Sequence, residues 1–401
     1  MADYNDNYTY MGDQEAPESE VIEERVCKIL VIGVGGAGNN AVNRMISSGI
    51  DSADFVAANT DKQDLIHSSA LRKVVLGSTL TKGLGAGSNP MVGKKAAEES
   101  SDLIKALLSG VDLLFITAGM GGGTGTGAAP VIANIAHDLG ILTIAVVTTP
   151  FKFEGQKRMA QAEAGISELR QYVDTLLVVP NEKLLEVMPK GTKFLDAFKY
   201  ADDVLRQGIQ GIADLIVKPC IINLDFADVR TVLKEKGFAH IGIGEAEGDN
   251  RTVDAVRAAV NNKLLETNIG EATAAILNVT GGEDLELEEV EEAGSTVRGV
   301  LNPDATLIFG ADINPALGKK VIITIIATGF KHGSRAINNP SYAGRPPISS
   351  IGSILPKDPT GGLERPVAPE PRPRYRDEEP SSDRISVGDN DLPPFMRKLK
   401  R

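Results

Sequence analysis

The heptapeptide Gly121-Gly122-Gly123-Thr124-Gly125-Thr126-Gly127 sits between an apolar run, Leu113-Leu114-Phe115-Ile116, and a helix-like run from Ala128 to Leu139. Glycine lets a backbone take positive φ and come close to a bulky ligand. A buried strand that ends in such a loop and turns straight into a helix aims several backbone N–H groups at one place. The helix N-terminus adds a partial positive charge there. Pro130 is expected in the first helical turn, where its missing N–H costs nothing. The stretch therefore reads as an anion site, phosphate first among the choices. A flexible linker has a similar composition, but linkers are not clamped between a buried strand and a helix.

Three more loops share this character. Cys27 to Ile32 has a buried-strand pattern and runs into Gly33-Val34-Gly35-Gly36-Ala37-Gly38-Asn39-Asn40, followed by a helix with Val42, Met45 and Ile46 on one face. Gly33, Gly35 and Gly38 fit the G-x-G-x-x-G dinucleotide fingerprint. A second strand, Phe55 to Ala58, ends in Asn59-Thr60-Asp61, where a carboxylate can accept from a ribose hydroxyl. A nicotinamide-dependent oxidoreductase is thus an alternative, although it leaves the 121–127 loop idle. Thr81 to Pro90 is another Gly-rich segment, ahead of a helix expected from about Gly93 to Leu108. Val111–Thr117, Ile141–Thr148 and Asp174–Val179 read as further strands, and Phe151 to Arg158 opens a helix. Alternating strand and helix signals predict an α/β fold, a Rossmann-like parallel sheet covered on both faces. Ligands of such sheets bind at the carboxyl ends of the strands. The segments 33–40, 59–61, 83–89 and 119–127 all fall at those ends.

From Phe194 to Lys218 runs a long helical pattern, with Leu195, Phe198, Leu205, Ile209, Ile212 and Ile216 near i, i+3, i+4 and i+7. At about 1.5 Å per residue it spans a whole domain. Beyond it, residues to Phe330 read as α+β with a mixed sheet: helices near 227–236, 252–263 and 285–298, strands near 220–224, 240–245, 274–279, 305–310 and 320–328. Residues 332–388 then hold ten prolines and almost no apolar periodicity, the mark of a linker. The expected organisation is a disordered N-terminal extension (1–24), a nucleotide-binding domain (25–193), a central helix (194–218), a second domain (219–330), a disordered linker (331–388) and a terminal docking peptide (389–401). In that peptide Leu392, Phe395 and Met396 precede the basic tip Arg397 to Arg401.

Net charge is −12 with a pI near 5.0, which argues against a nucleic-acid binder. Cys27 and Cys220 are the only cysteines, so neither a disulfide framework nor a cysteine-rich zinc site is expected, as suits a reducing cytoplasm. The N-terminus lacks a secretory pattern, and the apolar run Val321–Ala327 is far too short to span a bilayer. Gly93-Lys94-Lys95 and Gly318-Lys319-Lys320 lack the Ser/Thr of a P-loop. No metal-ligand cluster is evident.

One acidic cluster stands apart. In Asn223-Leu224-Asp225-Phe226-Ala227-Asp228-Val229-Arg230 an apolar strand enters a helix, and Asp225 and Asp228 share a face of its first turn. They either cap the helix or orient a water or hold a cation. The cluster follows the long helix, so it lies far from the glycine loops of its own chain. For it to act on them, a second copy must supply it.

The heptapeptide resembles the GTP-binding signature of the tubulin/FtsZ family, and the resemblance extends to Gly33–Ala41, Asn59–Asp61, Gly83–Pro90, Phe151–Arg158, Asn181, the long helix, Asn223–Arg230 and the tail. It implies two domains flanking the central helix, GTP or GDP with Mg²⁺ at the carboxyl edge of the first sheet, and subunits stacked head to tail. Assembly-dependent hydrolysis would then occur where Asn223, Asp225 and Asp228 of one subunit meet the next subunit's nucleotide. By this resemblance Gly36, Ala37, Gly38, Asn39 and Asn40 contact the nucleotide, and Gly85, Ala86 and Gly87 lie near its terminal phosphates. Gly123, Thr124 and Gly125 cradle phosphate, and Glu154 and Arg158 bind sugar and phosphate. Asn181 and Asp202 read guanine, with Phe198 against the base. A carboxylate at Asp202 suits guanine, since N1–H and N2–H₂ form a donor pair that adenine lacks. The resemblance also implies filaments at the mid-cell division site in the cytoplasm. The tail, Asp391 to Arg401, would dock on membrane anchors and regulators such as FtsA.

Overall fold

A computed structural model describes residues 27–188, 191–217, 225–261 and 269–330. The first half begins with β1 (Ile29–Val34), α1 (Gly35–Ser47), β2 (Asp54–Asn59), α2 (Lys62–Ile66), β3 (Arg72–Val75), α3 (Ser78–Thr81), α4 (Pro90–Glu99) and α5 (Ser101–Leu108). It continues with β4 (Leu113–Gly119), α6 (Thr124–Asp138), β5 (Leu142–Thr149), α7 (Gln156–Leu169), β6 (Thr175–Pro180) and α8 (Asn181–Val187). The long helix α9 (Phe194–Val217) leads to α10 (Phe226–Leu233) and β7 (Gly237–Glu247). The chain then adds α11 (Arg251–Val260), β8 (Ala274–Gly281), α12 (Leu287–Val300), β9 (Thr306–Ile313) and β10 (Lys320–Thr328).

The strands form one sheet in the order β3-β2-β1-β4-β5-β6-β7-β10-β8-β9. The first six are parallel and follow the order 3-2-1-4-5-6 of the doubly wound dinucleotide fold. Their apolar runs are buried on both faces, which is why they read as continuous rather than alternating. A short parallel pairing, Thr175–Leu177 with Gly237–Ala239, joins the halves. β10 runs antiparallel to both β7 and β8, and β8 is parallel to β9, so the sheet of the second half is mixed.

The sheet divides two cores of the first half. Leu30, Ile32 and Ile116 point to the side of α6, with Ala128 and Ile132. Val31, Phe115, Val42 and Met45 point to the other side, where α9 packs Leu205, Ile209 and Ile212. α9 is 24 residues long, hence about 36 Å, and it covers the sheet from one edge to the other. A third core lies under α11 and α12, with Val256, Val297, Leu277 and Ile325.

The expected helix from Gly93 to Leu108 is two helices. α4 begins at Pro90, and the chain breaks at Ser100, whose hydroxyl accepts from the Gly77 N–H at 3.0 Å. Pro130 is the seventh residue of α6 and not in its first turn, because the helix starts four residues earlier than the apolar pattern suggests, inside the glycine run. β3, four residues long and with Arg72 and Lys73 exposed, shows in the sequence only as the short apolar run Val74-Val75-Leu76 and is not among the expected strands. Among the described residues no helix is long and apolar enough to cross a membrane. The 1–24, 331–388 and 389–401 segments, the 220–224 strand and Asn223 lie outside the described residues.

Candidate functional site

The loops picked out by sequence meet at the carboxyl edge of the parallel strands. β1 passes into α1 with no intervening loop, so Gly36, Ala37, Gly38, Asn39 and Asn40 are the helix's first turn and a half. Gly33 and Gly38 are needed for packing: a Cβ on Gly38 would lie 2.3 Å from the Thr117 carbonyl oxygen of β4. Asn39 is buried, and neither its Nδ2 nor its Oδ1 has a partner. Beside this helix start, Asn59 donates to Asp64 at 2.6 Å.

The heptapeptide divides between loop and helix. Gly121 has φ +98°, and its N–H donates to the Thr126 hydroxyl at 2.8 Å, closing the turn. Thr124 onward is helix. Gly127 serves packing, because a Cβ there would sit 2.0 Å from the Pro90 carbonyl oxygen of α4. Gly122 faces open space. The Thr60 and Thr124 hydroxyls share a hydrogen bond of 2.6 Å, and Gly85 N–H donates to the Thr60 carbonyl at 3.0 Å. These bonds tie the β2 turn, the 83–89 loop and the start of α6 together. Ala86 lies against Gly123. Gly87, Ser88, Asn89, Gly121, Glu154 and Arg158 line an open cavity of about 550 Å³.

Neither α1 nor α6 has a side-chain N-cap. An α-helix leaves its first N–H groups without internal partners, so both helices present donors and positive dipole ends to the same edge. Glu154 and Arg158 form an ion pair at 2.9 Å, and Glu154 also accepts from the Phe151 N–H.

At the other end of the edge, Asn181 opens α8, buried, with its Oδ1 unpartnered. Phe198 on α9 meets Phe151 edge-on, ring centroids 5.3 Å apart. Asp202, one turn further along α9, has its carboxyl pushed up to about 6. Burial is the main cause; Arg44 of α1 opposes the shift and Asp203 adds to it. Thr60 and Arg44 carry no motif signal in the sequence. Thr60 is visible only as part of a turn, and Arg44 only once α1 is packed on α9.

Asp225 and Asp228 are elsewhere. Asp225 is the N-cap of α10, accepting from the Asp228 N–H at 2.7 Å, and both residues are exposed. The far end of α10 is held at the amino edge of the sheet. Thr175, the first residue of β6, donates to the Leu233 carbonyl, and Asp174 accepts from Glu235 N–H and from Thr143 N–H at the start of β5. Likewise Ser52, ahead of β2, donates to Asp214 near the end of α9 at 2.9 Å. Strands of six to eight residues separate the edges by about 20 Å or more. The structure thus gathers the cofactor-binding candidates along one edge and anchors the helix that carries the two carboxylates at the opposite one. A larger cavity, about 600 Å³ between α9 and the sheet of the second half, is lined by none of the site residues expected from the sequence.

The model of the Tubulin/FtsZ family, GTPase domain, matches residues 28–189, and that of the FtsZ family, C-terminal domain, matches 237–331. Among solved structures, the chain is similar to an FtsZ dimer from M. jannaschii, with 48% identity over 77% of this chain and 90% of that one and a TM-score of 0.74. CetZ2 from Haloferax volcanii, a GTPγS-bound protofilament, shares 22% identity over 77% of this chain and 95% of that one, TM-score 0.66, and so shares the fold.

Proposed function

Since the chain belongs to the tubulin/FtsZ family and is a GTPase, we propose that it polymerises head to tail and hydrolyses GTP only where two subunits meet. The observation that carries this reading is the separation of the halves. Glycine-rich loops end the parallel strands, and the short helix that Asp225 opens is anchored by its far end at the beginnings of the same strands. One copy cannot bring them together, but a second copy stacked on the same axis can. A head-to-tail contact that does not close generates a filament. The M. jannaschii relative is a dimer, which supports self-association.

In the proposed site the phosphates lie against the uncapped starts of α1 and α6, where Gly36, Ala37 and Gly123 to Gly125 supply backbone donors and Gly38, Asn39 and Asn40 border the nucleotide. Gly85, Ala86 and Gly87 close over the terminal phosphates. Glu154 and Arg158 meet sugar and phosphate. Asn39 and Asn181 fit a ligand in a specific sense: each has a buried amide atom without a partner, and a nucleotide offers both donors and acceptors to complete them. Asp202 accepts from guanine N1–H and N2–H₂ with Asn181 beside it, and Phe198 packs on the base. Among the described residues no three carboxylate, imidazole or thiol groups form a metal cage. Mg²⁺ is a hard cation carried largely on phosphate oxygens and water, and with GTP bound it would neutralise charge on the phosphates. Asp225 and Asp228 from the next subunit, with Asn223, orient the attacking water.

The filament would build the division-site ring in the bacterial cytoplasm. The tail peptide, Asp391 to Arg401, would link it to membrane anchors and regulators such as FtsA.

Sedimentation with matched phosphate release tests the proposal. GTP with Mg²⁺ should drive the protein into the pellet, and phosphate release per molecule should rise steeply above a threshold protein concentration. A specific rate independent of concentration would refute hydrolysis between subunits. Bound GTP with filaments and no phosphate release would point to a non-hydrolysing scaffold.

A further inference from the structure

The end of α10 away from Asp225 is buried. Val232 and Leu233, its last residues, are fully buried. Helix C-termini leave carbonyls without internal partners, and water commonly satisfies them. Here two buried threonine hydroxyls do so. Thr328, the last residue of β10, donates to the Val232 carbonyl at 2.7 Å, and Thr175, the first residue of β6, donates to the Leu233 carbonyl. The first comes from the sheet of the second half and the other from that of the first. Next to Thr175, Asp174 accepts from the N–H of Glu235, and its own carbonyl accepts from Gly237 N–H at 2.9 Å. Glu235 takes a left-handed φ of +55° in that turn. α10 is therefore gripped by both halves of the molecule at the end opposite its two carboxylates.

We propose that Thr175 and Thr328 are positioning residues for hydrolysis. They fix the axial position and rotation of α10, and so the place at which Asp225 and Asp228 reach the neighbouring subunit's nucleotide. This rests on the reading of those carboxylates as the catalytic half-site. The helix is eight residues long, so a shift at its buried end is transmitted to its cap within two turns. Displacing a catalytic group by about 1 Å can cost on the order of 10²-fold in rate. Nothing in the clamp touches the nucleotide edge, so binding should be unaffected.

The test compares Thr175→Val and Thr328→Val, which keep shape and remove the hydroxyl, with Thr175→Ser and Thr328→Ser, which keep it. GTP affinity, the sedimentation threshold, kcat and KM are measured on the full chain. Each Val variant should lose about tenfold in kcat with KM and GTP affinity unchanged, and each Ser variant should recover most of that loss. Val297→Ala, which loosens the separate core under α12, serves as a control for lost stability and should keep its kcat. Wild-type kcat in both Val variants overturns the proposal, as does a kcat loss matched by Val297→Ala at equal melting temperature. Asp225→Asn is run alongside. If it stays fully active, the half-site reading falls and the proposal with it; if it is inactive and the Val variants are not, only the positioning role falls.

Discussion

The two edges of the parallel sheet are built on opposite plans. At the carboxyl edge, α1 and α6 begin without side-chain caps, and Asn39 and Asn181 keep buried polar atoms unpartnered. At the amino edge, α10 is capped by Asp225 at its start and by Thr175 and Thr328 at its end. Leaving a buried polar group unpartnered costs about 1–3 kcal/mol, so a fold keeps such groups where something else completes them. The contrast separates an edge shaped to receive a ligand from an edge shaped to present fixed side chains. It also fits the proposal that a small helix, buried at one end and exposed at its cap, serves a neighbouring copy's site.

The largest effect should come from breaking the presenting edge. Asp225→Asn keeps an N-capping side chain but removes the charge, since asparagine caps as well as aspartate. Phosphate release should fall by roughly 10²-fold or more, within the range for a lost general base, with GTP retention on a filter unchanged. Asp228→Asn should behave alike. An equal fall in GTP binding would show that these carboxylates serve the fold or the pocket of their own chain.

Two glycines of the receiving edge separate a packing role from open space. Gly127→Ala forces α4 and α6 apart, because the new Cβ would lie 2.0 Å from the Pro90 carbonyl oxygen. A loss of about 3 kcal/mol is expected in denaturant unfolding without nucleotide, typical of overpacking. Gly122→Ala meets nothing within 4 Å and should leave unfolding within about 0.5 kcal/mol. Should the two unfold alike, the assignment of Gly127 to packing would be wrong.

This division was only partly legible in the sequence. The loops at the strand ends were legible because glycine and polar residues interrupt long apolar runs, and those runs are long because the strands are buried on both faces. Reading Gly121–Gly127 as all loop misplaced the start of α6, since glycine's low helix propensity is overridden by the packing of Gly127 on α4. Ser100 divides a continuous helical pattern because a backbone N–H distant in sequence, that of Gly77, claims its hydroxyl. Arg44 beside Asp202 depends on how α1 lies on α9, and the hydroxyl clamp on how β6 and β10 end. Periodicity carries neither. The acidic cluster was legible as two carboxylates on one helical face, and its distance from the glycine loops followed from the length of α9 alone.

At the base end, Asp202→Asn should weaken GTP binding by about 10- to 100-fold, the worth of about 1.5–3 kcal/mol for hydrogen bonds to a charged group, measured by competition with a fluorescent nucleotide. Binding of the adenine analogue should change much less. An equal loss for both bases would place Asp202 outside base recognition.

The smallest effect is also the most specific to the electrostatics of this edge. The free carboxyl of Asp202 titrates at about 6, chiefly because burial disfavours its charged form. Guanine N1–H and N2–H₂ both donate, so only the ionised carboxylate accepts from the pair, and a bound guanine pulls the carboxyl back down. Affinity should therefore be level above about pH 7 and decline as pH falls through 6, because protonated Asp202 must lose its proton before it can bind. Between pH 7.5 and 5.5 the loss should be about fourfold. Nucleotide phosphates titrate in the same range, so the wild-type curve alone does not isolate the carboxyl. The ratio of wild-type to Asp202→Asn affinity does, since the phosphates are common to both. That ratio should shrink on acidification, and a ratio constant from pH 7.5 to 5.5 would mean that the carboxyl at position 202 does not change charge on binding guanine.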